Sequence, residues 1–136
     1  MKDEKMPILL IEDDEVDIMS VQRSLEDLHI TNPLLITKNG IMALELLNVL
    51  KNDTILILLD LNMPQMGGVE FLKNLRKQNR WKRVPVIVLT TSREEQDKFE
   101  TFSLGISGYI IKPVDYIKFV EVMKTINIYW TLSEIP

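Results

Sequence analysis

The sequence predicts an α/β fold, a doubly wound five-stranded parallel sheet of order 2-1-3-4-5 flanked by five helices. Five short apolar runs alternate with five longer segments of helical periodicity, the pattern of successive βα units. The run Ile55-Leu56-Ile57-Leu58-Leu59 is continuous rather than alternating, which suits a strand covered on both faces. Acids follow two of the runs directly, Glu12-Asp13 after the first and Asp60 after the third. Order 2-1-3-4-5 sets strands one and three at the topological switch point, where an open α/β sheet forms its ligand crevice at the carboxyl edge.

The first strand is Ile8 to Ile11. Asp14-Glu15 then open a helix marked by Ile18, Val21, Leu25 and Leu28, with negative charge at its positive end. Asn32-Pro33 turns the chain into the second strand, Leu34 to Thr37, and Asn39-Gly40 leads into a helix carrying Ile41, Leu44, Leu47 and Val49-Leu50. After Asn52-Asp53 comes the central strand, Ile55 to Leu59. The loop with Pro64 and Gly67-Gly68 enters a helix bearing Val69, Phe71, Leu72 and Leu75. Val84-Pro85 precedes the fourth strand, Val86 to Leu89. Phe99, Phe102 and Leu104 mark the next helix, which Gly105 ends as a left-handed cap. Tyr109 to Ile111 is the fifth strand. Asp115 caps a last helix with Phe119, Val120, Met123, Ile126 and Trp130.

A chain of 136 residues is expected to form one domain, with a core over about residues 6–130 and a short tail over 131–136. No output domain is expected after the last helix. The apolar fraction of 46% and charged fraction of 26% are those of a soluble globular protein. A net charge of -4 and the lack of a basic stripe argue against nucleic acid as a partner. The densest basic cluster, Arg76 to Arg83, reads as a solvated helix end and loop. The absence of cysteine excludes disulfides and thiolate metal sites. The charged start Met1-Lys2-Asp3-Glu4-Lys5 is unlike a signal peptide, and no run approaches the ~18 apolar residues of a membrane span. A cytoplasmic protein without membrane contact is the expectation.

Glu12, Asp13 and Asp60 converging on one crevice need a counter-charge. Two like charges at ~4 Å repel by about 4 kcal/mol at an effective dielectric near 20. A hard divalent cation answers this, and Mg2+ is held by one or two carboxylates with waters retained, leaving room for a phosphate. Mn2+ is the alternative ion. One such acid is more simply a turn cap; a pair plus a third, each directly after a strand, favours chemistry. Thr90-Thr91-Ser92 ends the fourth strand with hydroxyls suited to a phosphate oxygen, although Ser92 is better read as a cap for a helix starting near Arg93. Lys112-Pro113 ends the fifth strand with a point charge suited to phosphate.

Taken together, Ile11-Glu12-Asp13-Asp14, Leu59-Asp60-Leu61-Asn62-Met63-Pro64 with Gly67-Gly68, Leu89-Thr90-Thr91-Ser92 and Gly108-Tyr109-Ile110-Ile111-Lys112-Pro113 resemble the receiver domain of two-component response regulators, the CheY-like, flavodoxin-like fold. The likeness runs from about Ile8 to Trp130. It implies that Asp60 accepts a phosphoryl group from a sensor histidine kinase or phosphotransfer protein. It implies Mg2+ held by Asp13, Asp60 and the Asn62 backbone carbonyl, with Glu12 acting through a water. It implies Thr90 and Lys112 on phosphoryl oxygens, Tyr109 as the switch partner of Thr90, and a cis bond between Lys112 and Pro113. Glu12 stands where an aspartate is common, and Gly67 replaces a frequent aspartate. Thr91, bulkier than alanine, is expected to restrict access to the phosphoryl group.

The stretch Lys112-Pro113-Val114-Asp115-Tyr116, with Phe119 and Tyr129-Trp130, looks like single-domain receivers that partner bacterial phytochrome-type kinases. Such a protein signals by contact with a downstream partner, and pairing of two copies through the fourth and fifth helices and the tail is a further expectation. A Mg2+-dependent phosphatase or mutase of the haloacid-dehalogenase type is the alternative. It requires an aspartate two places after the nucleophile as general acid/base, and Asn62 cannot exchange a proton. A flavin or nucleotide carrier lacks its phosphate-cradling glycine loop here. A scaffold receiver, regulated by binding alone, would lack the acids or the lysine.

Overall fold

The computed structural model describes residues 6–132. Along the chain run β1 Ile8–Ile11, α1 Glu15–Asp27, β2 Leu34–Thr37, α2 Gly40–Val49, β3 Leu56–Leu59, α3 Gly68–Arg76, a 3-10 turn Asn79–Trp81, β4 Val86–Thr90, α4 Glu95–Ser103, β5 Gly108–Ile111 and α5 Tyr116–Leu132. The strands form one parallel sheet in the order β2-β1-β3-β4-β5, as the sequence predicts. The expectations for the start of the chain and for Ser133 onward lie outside the described residues.

Side chains of a strand alternate between faces, and the two cores divide accordingly. Leu9, Ile11, Ile57, Leu59, Val86 and Val88 pack with Ala43, Leu47, Phe71, Leu72 and Leu75 from α2 and α3. Ile8, Leu10, Leu56, Leu58, Ile87 and Leu89 pack with Ile18, Val21, Leu25, Phe119, Met123 and Ile126 from α1 and α5. Strands β1, β3 and β4 are buried throughout, which is why their runs are continuous; β2 and β5, at the edges, are mostly half-buried.

Local sequence sets the helix starts. The Asp14 carboxylate accepts from the Asp17 N–H at 3.1 Å, Asn39 from Met42 at 2.8 Å and Asp115 from Ile117 at 2.8 Å. Gly105 takes φ +77° after α4, the left-handed conformation expected of it. Gly68 is required by proximity, since a Cβ there would lie 2.6 Å from the Asp60 carbonyl oxygen.

Several expectations need correction. Phe99 and Phe102 lie on a helix but point outward, 72% and 56% exposed. α4 is turned so that Thr101, bonded to the carbonyls of Asp97 and Lys98, faces inward. α4 begins at Glu95, and Ser92 bonds the Glu94 N–H and the Asp97 carboxylate one step ahead of it. The basic cluster is solvated as expected at Lys77, Lys82 and Arg83, but two of its arginines fold back onto the backbone. Arg76 donates to the carbonyls of Leu104, Trp81, Val84 and Gly105 at 2.8–3.1 Å. Arg80 donates to those of Leu50 and Asn52 at 2.6 and 2.9 Å, and Trp81 is buried beneath it. Carbonyls at loop ends accept from the guanidinium fork, a feature that charge content does not reveal. No described peptide bond is cis, so Lys112-Pro113 is trans, the form that X–Pro bonds favour.

Candidate functional site

Parallel strands that share a register deliver the residues after them to one edge. The Glu12 N–H bonds the Thr37 carbonyl at 2.9 Å, and the Asp60 N–H bonds that of Ile11 at 3.0 Å. Glu12 and Asp60 thereby leave neighbouring strands side by side. With Asp13 they offer carboxylate oxygens that all lie within 4.8 Å of one another. Glu12 and Asp60 are buried, while Asp13 is half-buried at the mouth.

Lys112 enters from the other side of the sheet, its N–H bonded to the Thr90 carbonyl at 2.8 Å. Its ammonium lies 2.6 Å from Glu12, 2.8 Å from Asp17 and 3.7 Å from Asp60. Only 8% of the side chain is exposed. Asp17 is a member of this cluster that the sequence reading did not single out. It stands in the first turn of the helix that Asp14 caps, and no motif in the sequence marks it.

The electrostatics favour an added cation. Burial pushes the Glu12 carboxyl up to about 7; the Lys112 hydrogen bond pulls it down, and the Asp60 charge adds to the rise. Lys112 stays protonated: burial lowers its pKa, but the hydrogen bonds it donates to Asp17 and Glu12 and the charge of Asp60 raise it more. One ammonium among four carboxylates leaves an excess of negative charge. The Oδ1 of Asp60 is buried and has no hydrogen-bond partner. An orphaned carboxylate oxygen beside two other oxygen donors fits a hard divalent ion.

The remaining residues line the approach. Thr90 is fully buried at the end of β4, and its hydroxyl oxygen accepts from the Ser92 N–H at 3.3 Å. Tyr109 is half-buried; its hydroxyl donates to the Ser92 carbonyl at 2.9 Å, and its ring stacks on Phe102 at 6.4 Å. Thr90 and Tyr109 therefore meet through the same loop residue. Asn62 and Thr91 are exposed in the loops after β3 and β4. No described helix is long and apolar enough to cross a membrane.

Known proteins resemble this chain in sequence and fold. The family model for the response regulator receiver domain matches residues 8–124. The response regulator Rcp1 of Synechocystis sp. (strain ATCC 27184 / PCC 6803 / Kazusa) is 34% identical, over 96% of this chain and 94% of that protein. The crystal structure of the phosphorylated cyanobacterial phytochrome response regulator RcpA is 31% identical, with a TM-score of 0.86 over 97% of this chain and 99% of that one. The Mn(2+)-bound form of Rcp1 is 32% identical, with a TM-score of 0.84 over 96% and 99%. Matched by that model over most of its length, the protein belongs to the response regulator receiver domains, the phosphorylation-dependent signalling modules of two-component systems.

Proposed function

We propose that Asp60 is the phosphoacceptor of this receiver. The observation that carries the reading is its buried Oδ1, which accepts no hydrogen bond and lies beside two carboxylates and 3.7 Å from a lysine at the sheet's carboxyl edge. The donor is a phosphohistidine on a sensor histidine kinase or phosphotransfer protein. An Asp60 carboxylate oxygen forms the new bond to phosphorus. The P–N bond breaks, and its electron pair returns to the imidazole nitrogen. Asp13, Asp60 and the Asn62 carbonyl would hold Mg2+, or Mn2+ in its place, with Glu12 acting through a water. The ion, when bound, offsets the charge on the transferring oxygens. Lys112 supplies the second positive charge and Thr90 a hydroxyl donor. When Thr90 turns toward the phosphoryl group, its contact with Ser92 is released, and Tyr109, bonded to the same residue, moves with the loop.

The likeness to Rcp1 and RcpA supports a phytochrome-type kinase as the source of the phosphoryl group. We read the chain as a single receiver domain acting in the cytoplasm through contact with a downstream protein. It is a signalling phosphoacceptor, with slow Mg2+-dependent self-phosphorylation from small donors and slow self-hydrolysis. The exposed Phe99, Phe102, Ile128 and Tyr129 support pairing of two copies through α4 and α5. The mass in solution, with and without a phosphodonor, tests that pairing.

Incubation with acetyl phosphate and Mg2+, read by intact mass, tests the central reading. Wild type gains one phosphoryl group and Asp60→Asn gains none. A wild type that gains no metal-dependent mass overturns it.

A further inference from the structure

Asp17 is neither one of the three clustered acids nor a phosphoryl contact, yet it holds Lys112 almost as closely as Glu12 does. The ammonium is 2.8 Å from Asp17, 2.6 Å from Glu12 and 3.7 Å from Asp60. Asp17 is firmly mounted. Its N–H is bonded to the Asp14 cap at 3.1 Å, and the next residue, Ile18, is buried in the core under α1. Its own side chain is 35% exposed, and Val16, Asp17, Ser20, Thr91 and Lys112 share a cavity of about 270 Å3 on that flank.

A buried ammonium does not remain unpaired. Released from Asp17, Lys112 has Glu12, which it already holds, and Asp60, whose Oδ1 accepts no hydrogen bond. Movement onto Asp60 would occupy the oxygen that a cation or a phosphorus atom needs. We propose that Asp17 is a positioning residue: its carboxylate draws the Lys112 ammonium toward α1 and so keeps Asp60 open to a divalent cation and to the incoming phosphoryl group. Only the second half of this rests on Asp60 being the phosphoacceptor. The first half concerns metal affinity in the unphosphorylated protein.

The test is a double-mutant cycle read by calorimetric Mg2+ titration of wild type, Asp17→Asn, Lys112→Gln and the double variant. Asparagine keeps the shape of residue 17 and removes its charge. Acting through Lys112, Asp17→Asn weakens Mg2+ binding about threefold to tenfold in the wild-type background and less than about twofold in the Lys112→Gln background. Asp17→Glu retains most of the wild-type affinity. Lys112→Met provides the same background if the glutamine variant does not fold. An equal loss in both backgrounds overturns the proposal, since it marks only the general field of a lost negative charge; so does no loss at all. With acetyl phosphate at saturating Mg2+, Asp17→Asn also gains mass more slowly than wild type. If wild type binds Mg2+ but takes no phosphoryl group, the phosphoacceptor reading fails while the titration cycle still decides the role of Asp17.

Discussion

The two edges of the sheet both hold cations pinned by several acceptors, and they use them in opposite ways. At the amino edge, Arg76 and Arg80 point their guanidinium groups at backbone carbonyls, six of them within 3.1 Å. Those six acceptors are neutral and fixed by the fold, with one exposed carboxylate, Asp53, beside Arg80 at 3.2 Å, so the arrangement is complete in itself. At the carboxyl edge, Lys112 faces Glu12, Asp17 and Asp60, and one Asp60 oxygen still accepts no hydrogen bond. A full set of neutral acceptors makes a fastening. A surplus of charged ones makes a site that responds to whatever cation or anion arrives.

This contrast is broken or sharpened by experiment. The largest effect belongs to the amino edge: Arg76→Ala takes a donor from four carbonyls and destabilises the fold by about 3 kcal/mol in chemical unfolding. The folded fraction keeps its Mg2+ affinity; a variant that lost affinity but not stability would reverse the assignment of the two edges.

Next comes pH. The Glu12 carboxyl moves from 4.5 to about 7 in the fold. Between those values the folded, metal-free protein binds more protons than the unfolded chain. The contribution of Glu12 to stability is therefore full below about 4.5 and lost as pH rises toward about 7. Mg2+ affinity runs the other way, rising up to about tenfold between pH ~6 and ~8 as that proton leaves. Glu12→Gln removes this dependence, and an unchanged pH profile in that variant would assign it to another group.

Asp60→Asn gives a smaller effect of opposite sign to Arg76→Ala. Removing one of three clustered charges stabilises the metal-free protein by about 1 kcal/mol, seen as a raised melting temperature. A lowered melting temperature would mean that the pairing with Lys112 outweighs the repulsion. The smallest effect is Thr91→Ala, which opens the approach beside Thr90 and speeds phosphorylation and dephosphorylation about twofold to threefold in mass-resolved time courses. Identical rates would show that this exposed side chain does not restrict the path.

The responsive edge was legible in the sequence and the fastened edge was not. Glu12, Asp13, Asp60, Thr90 and Lys112 each stand immediately after an apolar run, so reading the strands also located the cluster. Strand order followed from where those acids had to meet. Arg76 and Arg80 act on carbonyls of residues up to 33 positions away, partners that every residue type carries and no motif marks. Asp17 was hidden for a related reason, since its ion pair with Lys112 joins residues 95 positions apart. Helix periodicity predicted α4 but not its rotation. Phe99 and Phe102 share a face, and apolar spacing alone does not say whether that face meets the core.

One element touches both edges. α3 starts at Gly68, against the carbonyl of Asp60, and ends at Arg76, whose side chain gathers the loops leading into β4 and β5. Nine helical residues make a strut about 13 Å long, stiff along its axis. Such a strut sets a distance. Bulk added at residue 68 is not absorbed within the helix; it pushes on the aspartate at one end or pries at the arginine's carbonyls at the other. The missing side chain at Gly68 thus works as a gauge, fixing how far the chemistry stands from the fastening that keeps it in place.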